Sequence, residues 1–409
     1  MPPLARARAV AEALTLLETL ARAPAAAALV VTALDRWEDR EALCLAHPQL
    51  RDAVDEMRTK LRVYLEFGGA RWLTPGHWPR LEELCTYEPD LAALEALGSG
   101  TWRSLRFLHI RAHGHPALLA PRARALAAAL RRMPALRVFS LDSVDLSDAS
   151  AAEVFGASSA EAAPCPRALL MRHTYLAPAA VRALAATGWP LEELESASNR
   201  LSAADVAALV AAPTFAIRRL VLADCGLDAA SLLTLANAPW PLEELNLSWN
   251  NFSGAAAAPA LSALSRLAGL RKLDVSHCYL RAAGFKALVE ATWPALTSLS
   301  ARRAEVAFDG PAALGSTTFA GFPALEELHL SRVALGAAGA RLLASRSWAR
   351  LRVLCLQKAR LGDAGLAALA RGAWPALEEL GLWDNGIGAP LTLEDARRWA
   401  PKLARLWIL

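Results

Sequence analysis

Cysteine is scarce in this sequence and scattered along it. Cys44, Cys85, Cys165, Cys225, Cys278 and Cys355 include no Cys-x-x-Cys spacing and no histidine pairing suited to zinc. A zinc ribbon is therefore not encoded, and reduced thiols in a cytosolic or nuclear protein are the simplest reading. Long apolar runs are missing too, although 55% of the residues are hydrophobic. Nothing reaches the ~18–20 residues that a bilayer requires, since Ala25–Val31 and Ala255–Ala263 are short and weakly apolar. The N-terminal Ala/Leu segment is broken by Glu12, Glu18 and Arg22, so neither a signal peptide nor a transit peptide is expected. An excess of one charge is also lacking. The 44 basic and 40 acidic residues leave +4, which asks for neither nucleic acid nor an acidic membrane. Basic clusters such as Arg122 with Arg124 and Arg131 with Arg132 read as solvated helix faces. A Gly-rich phosphate loop and a Ser or Cys nucleophile signature are absent as well. We therefore expect no enzyme, cofactor or metal.

What the chain does have is repetition. In Leu242–Phe252 the apolar positions are Leu242, Leu245, Leu247 and Phe252, with Asn250 before the last. Leu245 and Leu247 alternate with period two, which places both on one face of a short strand. Asn250 falls where the chain leaves the strand, and its amide is expected to bond backbone groups of the turn and of the next repeat. The order resembles the leucine-rich repeat pattern L-x-x-L-x-L-x-x-N/C-x-L. Its first position recurs at Leu136, Pro166, Leu191, Ile217, Leu242, Leu270, Leu296, Leu325, Leu351, Leu377 and Leu403. Arg80–Leu84 and Ser104–Ile110 are earlier, degenerate copies. The Asn/Cys slot holds Asn199, Cys225, Asn250, Cys278 and Asn385.

A period of about twenty-six residues leaves room for a helix after each strand, as in Ala177–Thr187, Ala203–Ala211, Arg281–Ala291, Ala337–Ser345 and Asp363–Ala370. Before most strands stands a bulky residue, Trp at 78, 102, 189, 240, 293, 348 and 374, often followed by Pro. A Trp there plugs the floor between helix and strand, and Pro forbids the helix from continuing. The fold expected is an α/β leucine-rich repeat solenoid, a horseshoe with a concave parallel sheet and convex helices. It is similar to the ribonuclease-inhibitor-like group. About 12–13 repeats would fill residues 65–409, behind an all-helical N-terminal region at 1–64. The Cys-rich caps usual in extracellular members of the class are not visible.

That N-terminal region reads as four helices, the last over Gln49–Tyr64. Pro24, Val30, Val31 and Leu34, followed by Asp39, Leu43, Cys44, Leu45, Leu50 and Val54, resemble an F-box. The resemblance implies a ubiquitin-ligase substrate receptor, with Pro24, Val30, Leu34, Leu43 and Leu45 docking a Skp-type adaptor. The other reading is a plain helical cap on the first strand, which a solenoid needs in any case. It makes the protein a scaffold or regulatory inhibitor with no ligase link.

Counting the first leucine as one, the fifth, seventh and eighth residues of each repeat are expected on the concave face or its rim. The candidates for contact with a protein partner are Asp142, Arg172, His173, Glu195, Asp224, Asn246, Trp249, Asp274, His277, Arg302, Arg303, His329, Arg332, Lys358, Trp383 and Asp384. The middle of this surface reads as acidic and the later part as basic. Trp249 and Trp383 stand out, because Trp and Arg anchor interfaces. A pairing of Asp274 with His277 or His329 lacks a nucleophile beside it, so catalysis is not the expectation.

Overall fold

The computed structural model describes residues 60–64, 80–87, 89–112, 118–146, 152–156, 165–304, 319–388 and 390–408. The candidate adaptor-docking residues Pro24, Val30, Leu34, Leu43 and Leu45, and Trp78, lie outside them.

Each Leu-x-Leu segment forms a strand, and the strands stack in chain order. They are β1 (Lys60–Tyr64), β2 (Glu83–Tyr87), β3 (Phe107–Arg111), β4 (Val138–Asp142), β5 (Ala168–Arg172), β6 (Glu193–Glu195) and β7 (Arg219–Val221). The row continues with β8 (Glu244–Asn246), β9 (Lys272–Asp274), β10 (Ser298–Ser300), β11 (Glu327–His329), β12 (Val353–Cys355), β13 (Glu379–Gly381) and β14 (Arg405–Trp407). All pair in parallel, and the order runs from β1 to β14 without a crossover. Register is set by equivalent positions, so that Leu220, Leu245 and Leu273 are direct neighbours across β7, β8 and β9. This leucine ladder and the next one, which contains Leu222 and Leu247, are almost wholly buried. Each buried leucine contributes about 1.5–3 kcal/mol relative to exposure.

Helices α1 (Leu91–Leu97), α2 (Ala120–Leu130), α3 (Ala152–Gly156), α4 (Pro178–Ala185), α5 (Ala203–Val210) and α6 (Ala229–Ala236) return the chain. They are followed by α7 (Ala257–Ala263), α8 (Arg281–Glu290), α9 (Gly336–Ala344), α10 (Gly362–Leu369) and α11 (Leu393–Arg397). Several begin on side-chain caps. Ser202 with Asp205 closes a capping box on α5, and Thr392 with Asp395 does so on α11. A helix is about 10 Å wide and a strand needs only about 4.8 Å, so the sheet takes the inner side of the curve.

The bulky residues before the strands are buried as expected, and the indoles do more than fill space. Trp102, Trp293, Trp348 and Trp374 donate Nε1–H to the carbonyls of Leu97, Leu288, Leu343 and Leu369, 2.8–2.9 Å away. Each indole thereby bonds a carbonyl near the end of the preceding helix; Leu369 O accepts the Gly372 amide as well.

Two expectations are corrected. Lys60–Tyr64 is a strand paired with Glu83–Tyr87, not the end of a helix, so the sheet starts before residue 65. The stripe Leu61–Tyr64 fits a helical period, but Leu61 and Val63 also alternate, and pairing with the next strand selects the second pattern. The Asn ladder also points the other way. Asn250 Oδ1 accepts the amides of Cys225 and Leu227 at 3.1 and 2.9 Å, in the preceding repeat rather than the next. Its Nδ2 donates to Leu222 O and Leu247 O, both at 2.8 Å. Asn199 and Asn385 bond backward in the same way. That direction depends on how the coils stack, which a single repeat does not encode.

Candidate functional site on the concave face

The rim at the strand ends is built on one backbone device. In ten repeats the eighth residue is left-handed: Ser143, His173, Ser198, Asp224, Trp249, His277, Arg303, Arg332, Lys358 and Asp384 have φ between 50° and 63°. The amide of Trp249 donates to Ser276 O at 2.9 Å, that of Arg303 to Ser331 O at 2.8 Å and that of Arg332 to Gln357 O at 2.7 Å. The eighth residues thus form a rail in which the amides of all but Asp384 are bonded to the next coil, and their side chains are offered outward. Left-handed geometry costs a non-glycine residue roughly 1–2 kcal/mol. Here it carries Trp, His, Arg and Lys.

At the centre of the inner face is a basin of about 460 Å³ spanning β7–β11. Asn246, Asp274 and His329 form part of its floor, Arg302 its wall, and Trp249 with His277 its lip. Trp249 and His277 stack with ring centroids 3.8 Å apart and planes 9° apart. Trp249 nevertheless remains 59% exposed. Asp274 Oδ1 accepts the Ser276 amide at 2.8 Å. Ser276 and Ser300 hydroxyls meet at 2.8 Å, and Ser276 Oγ accepts the Arg302 amide at 3.1 Å. Arg302 Nη2 lies 3.1 Å from His329 Nδ1. A guanidinium can only donate, so Nδ1 accepts and the ring proton sits on Nε2. Burial first, and then the Arg302 charge, hold the His329 pKa below its ordinary value.

The third position of the repeat also belongs to this surface, a point absent from the sequence-based choice. Since the fourth residue points inward, period two sends both the third and the fifth outward. Glu193, Arg219, Glu244 and Lys272 therefore form an alternating ladder of ion pairs across β6–β9. Arg219 meets Glu193, its Nε lies 3.4 Å from Glu244 Oε2, and Lys272 Nζ lies 2.6 Å from Glu244 Oε1. These exposed pairs add little stability, ~0–1 kcal/mol each, but they cancel charge along the strand starts.

The other candidates separate into smaller groups. Arg172 binds Glu195 through both nitrogens of its fork, Nη2 to Oε2 at 3.0 Å. Glu195 is only 6% exposed, so the acidity expected there is largely cancelled. Asp142 lies 3.6 Å from Arg111 Nε. Lys358 Nζ sits 4.5 Å over the Trp383 ring and 3.0 Å from Asp384 Oδ2. Beside it, Gly381 leaves the space that Gln357 occupies, since a Cβ there would lie 2.2 Å from Gln357 Nε2. Gln357 in turn accepts from the Ser331 hydroxyl. His173 and Asp224 are exposed on the rail outside these groups. Arg303 and Arg332 are exposed, and among the described residues neither forms an ion pair. The described residues hold no cluster of His, Cys, Asp and Glu fit for a metal, and no helix long and apolar enough to cross a membrane.

A solenoid of strands stacked in order, sealed by leucine and asparagine ladders and open on its inner face, is a leucine-rich repeat fold, and it supports a protein–protein interaction role. A family model described as a leucine-rich repeat matches residues 241–258. No curated protein matches the sequence. Among solved structures, the chain is similar to one in the TLR13–ssRNA13 complex, with 18% identity, TM-score 0.49 and 87% of this chain covered. It spans 54% of that chain. An internalin (inlF) from Listeria monocytogenes aligns at 16% identity, TM-score 0.44, over 81% of this chain and 88% of its own. A chain of the yeast Rad7–Elc1 complex aligns at 15% identity, TM-score 0.47, over 99% and 98%. At these identities the likeness is one of architecture.

Proposed function

We propose that this protein is a non-enzymatic recognition module, which grips a protein partner with the central basin and the adjoining rail. The observation that carries this reading is Trp249, 59% exposed yet held flat against His277 at the basin's lip. An ordered, solvent-facing indole beside arginines has the composition of an interface anchor. The test is affinity capture from native extract with the full chain and with Trp249→Ala. A specific protein retained by the first and lost by the second, with unchanged circular dichroism, is the expected result. An identical set of captured proteins on both would overturn it.

The finer reading makes the module the substrate receptor of a ubiquitin ligase in the cytoplasm or nucleus. It is supported by the F-box-like order of Pro24, Val30, Leu34, Leu43 and Leu45. A Skp-type adaptor should bind the intact chain and fail to bind Val30→Asp or Leu43→Asp. Failure to bind the intact chain leaves the scaffold or inhibitor reading, in which the residues before β1 only cap the solenoid.

A further inference from the structure

Along the rail, the side chains after Trp249 run His277, Arg303, Arg332 and Lys358, and end beside Trp383. The neighbouring Arg302 adds a second guanidinium, held at His329. Lys358 is engaged by Asp384 and Trp383, whereas Arg303 and Arg332 point into solvent without a carboxylate among the described residues. Two exposed indoles therefore bracket a short cationic stretch.

We propose that this stretch of rail docks an extended acidic peptide segment of a protein partner, carboxylates at its centre and apolar side chains at its two ends. The inference rests on the protein-recognition reading above and names the chemistry of the partner. Three features support it. The rail amides of Arg303 and Arg332 are already bonded to Ser331 O and Gln357 O, so a ligand meets side chains, and guanidinium forks favour carboxylates. Trp249 and Trp383 are five strands apart, about 24 Å at ~4.8 Å per strand, which an extended segment of roughly seven residues spans. The basic stretch is also bounded by carboxylates, Asp224 before Trp249 and Asp384 beyond Lys358. A polyanionic nucleic acid running along the rail would collide with both; a short acidic peptide ends before it reaches them. The strand starts below carry Glu327 and Glu379, which holds the carboxylates to the upper rim.

The test pans a display library of random octapeptides on the full chain. Enrichment of Asp and Glu at inner positions, with aromatic or aliphatic residues at the ends, is expected. The double variant Arg303→Glu/Arg332→Glu should enrich Lys and Arg instead, while Arg341→Glu on the convex side should behave as the parent. A synthetic peptide of the enriched sequence should bind the double variant at least about tenfold more weakly, with binding that falls as salt rises. Enrichment without acidic residues, or indifferent to the charge reversal, would overturn the inference. So would tight binding of an eight-nucleotide single-stranded RNA without acidic enrichment. If Trp249→Ala loses a captured protein that the double variant retains, the acidic-peptide inference fails and the recognition reading stands.

Discussion

Trp249 lies flat on His277, 3.8 Å between ring centroids, and both line the basin on the sheet's inner face. Two residues earlier, just past the end of β8, Leu247 is fully buried; the left-handed backbone at Trp249 breaks the alternation and sends its indole the other way. Replacing each by alanine separates binding from folding. Leu247→Ala should destabilise by about 2–5 kcal/mol through a core cavity. Trp249→Ala should forfeit only the stacking contact, about 0.5–1.5 kcal/mol, and yet lose partner binding. Urea titration of both variants measures this, and a large loss for Trp249→Ala would mean the faces are assigned wrongly.

Asn250 satisfies two amides and two carbonyls in two successive coils. Asn250→Ala strands the two amides and Leu222 O, while Leu247 O keeps the Cys278 thiol, at about 1–3 kcal/mol for a buried group left unpaired, so a loss of at least about 3 kcal/mol is expected. Asn250→Cys should cost distinctly less. The native cysteines in this slot show why: Cys225 Sγ donates to Ser196 O at 2.9 Å and Cys278 Sγ to Leu247 O at 3.0 Å. Equal losses for the two variants would contradict the role given to the amide.

Trp293 and Trp240 occupy equivalent slots, but only the Trp293 indole reaches a carbonyl, and the Trp240 Nε1–H meets no acceptor among the described residues. Phenylalanine at 293 should cost about 1 kcal/mol more than phenylalanine at 240, the worth of one net hydrogen bond. Thermal unfolding of the pair reads the difference directly.

Burial pushes the Cys225 and Cys278 thiols up to about 12. A raised folded-state pKa keeps the proton on in the fold after the unfolded chain has released it. Stability is therefore complete below about pH 9 and declines above it, by up to ~1.4 kcal/mol per pH unit for each thiol. A Cys225→Ala/Cys278→Ala protein should show a flatter decline between pH 9 and 10.5. At neutral pH a thiol reagent should modify exposed Cys165 in the folded chain and reach Cys225 and Cys278 only after unfolding.

Periodicity alone was enough for the solenoid. Leu-x-Leu at a twenty-six-residue interval, Asn or Cys three residues on, and Trp before the strand each describe burial, and burial depends on which way a residue points within its own coil. The outward position of Trp383, a seventh residue, follows from the same alternation, and so would those of Arg219, Glu244 and Lys272 have done, had the third position been counted; Trp249 and Arg303, at the eighth, share parity with the buried fourth and sixth residues and turn outward on a left-handed backbone. Relations between coils were out of reach. That Arg172 cancels Glu195, that Asn250 bonds backward, and that the eighth residue of every described repeat from Ser143 to Asp384 is left-handed depend on partners some twenty-five residues away. Those partners come within hydrogen-bond range only when successive strands settle about 4.8 Å apart in a single register. Hydrophobic burial is non-directional and survives in a one-dimensional pattern; hydrogen bonds and ion pairs need two positions in space.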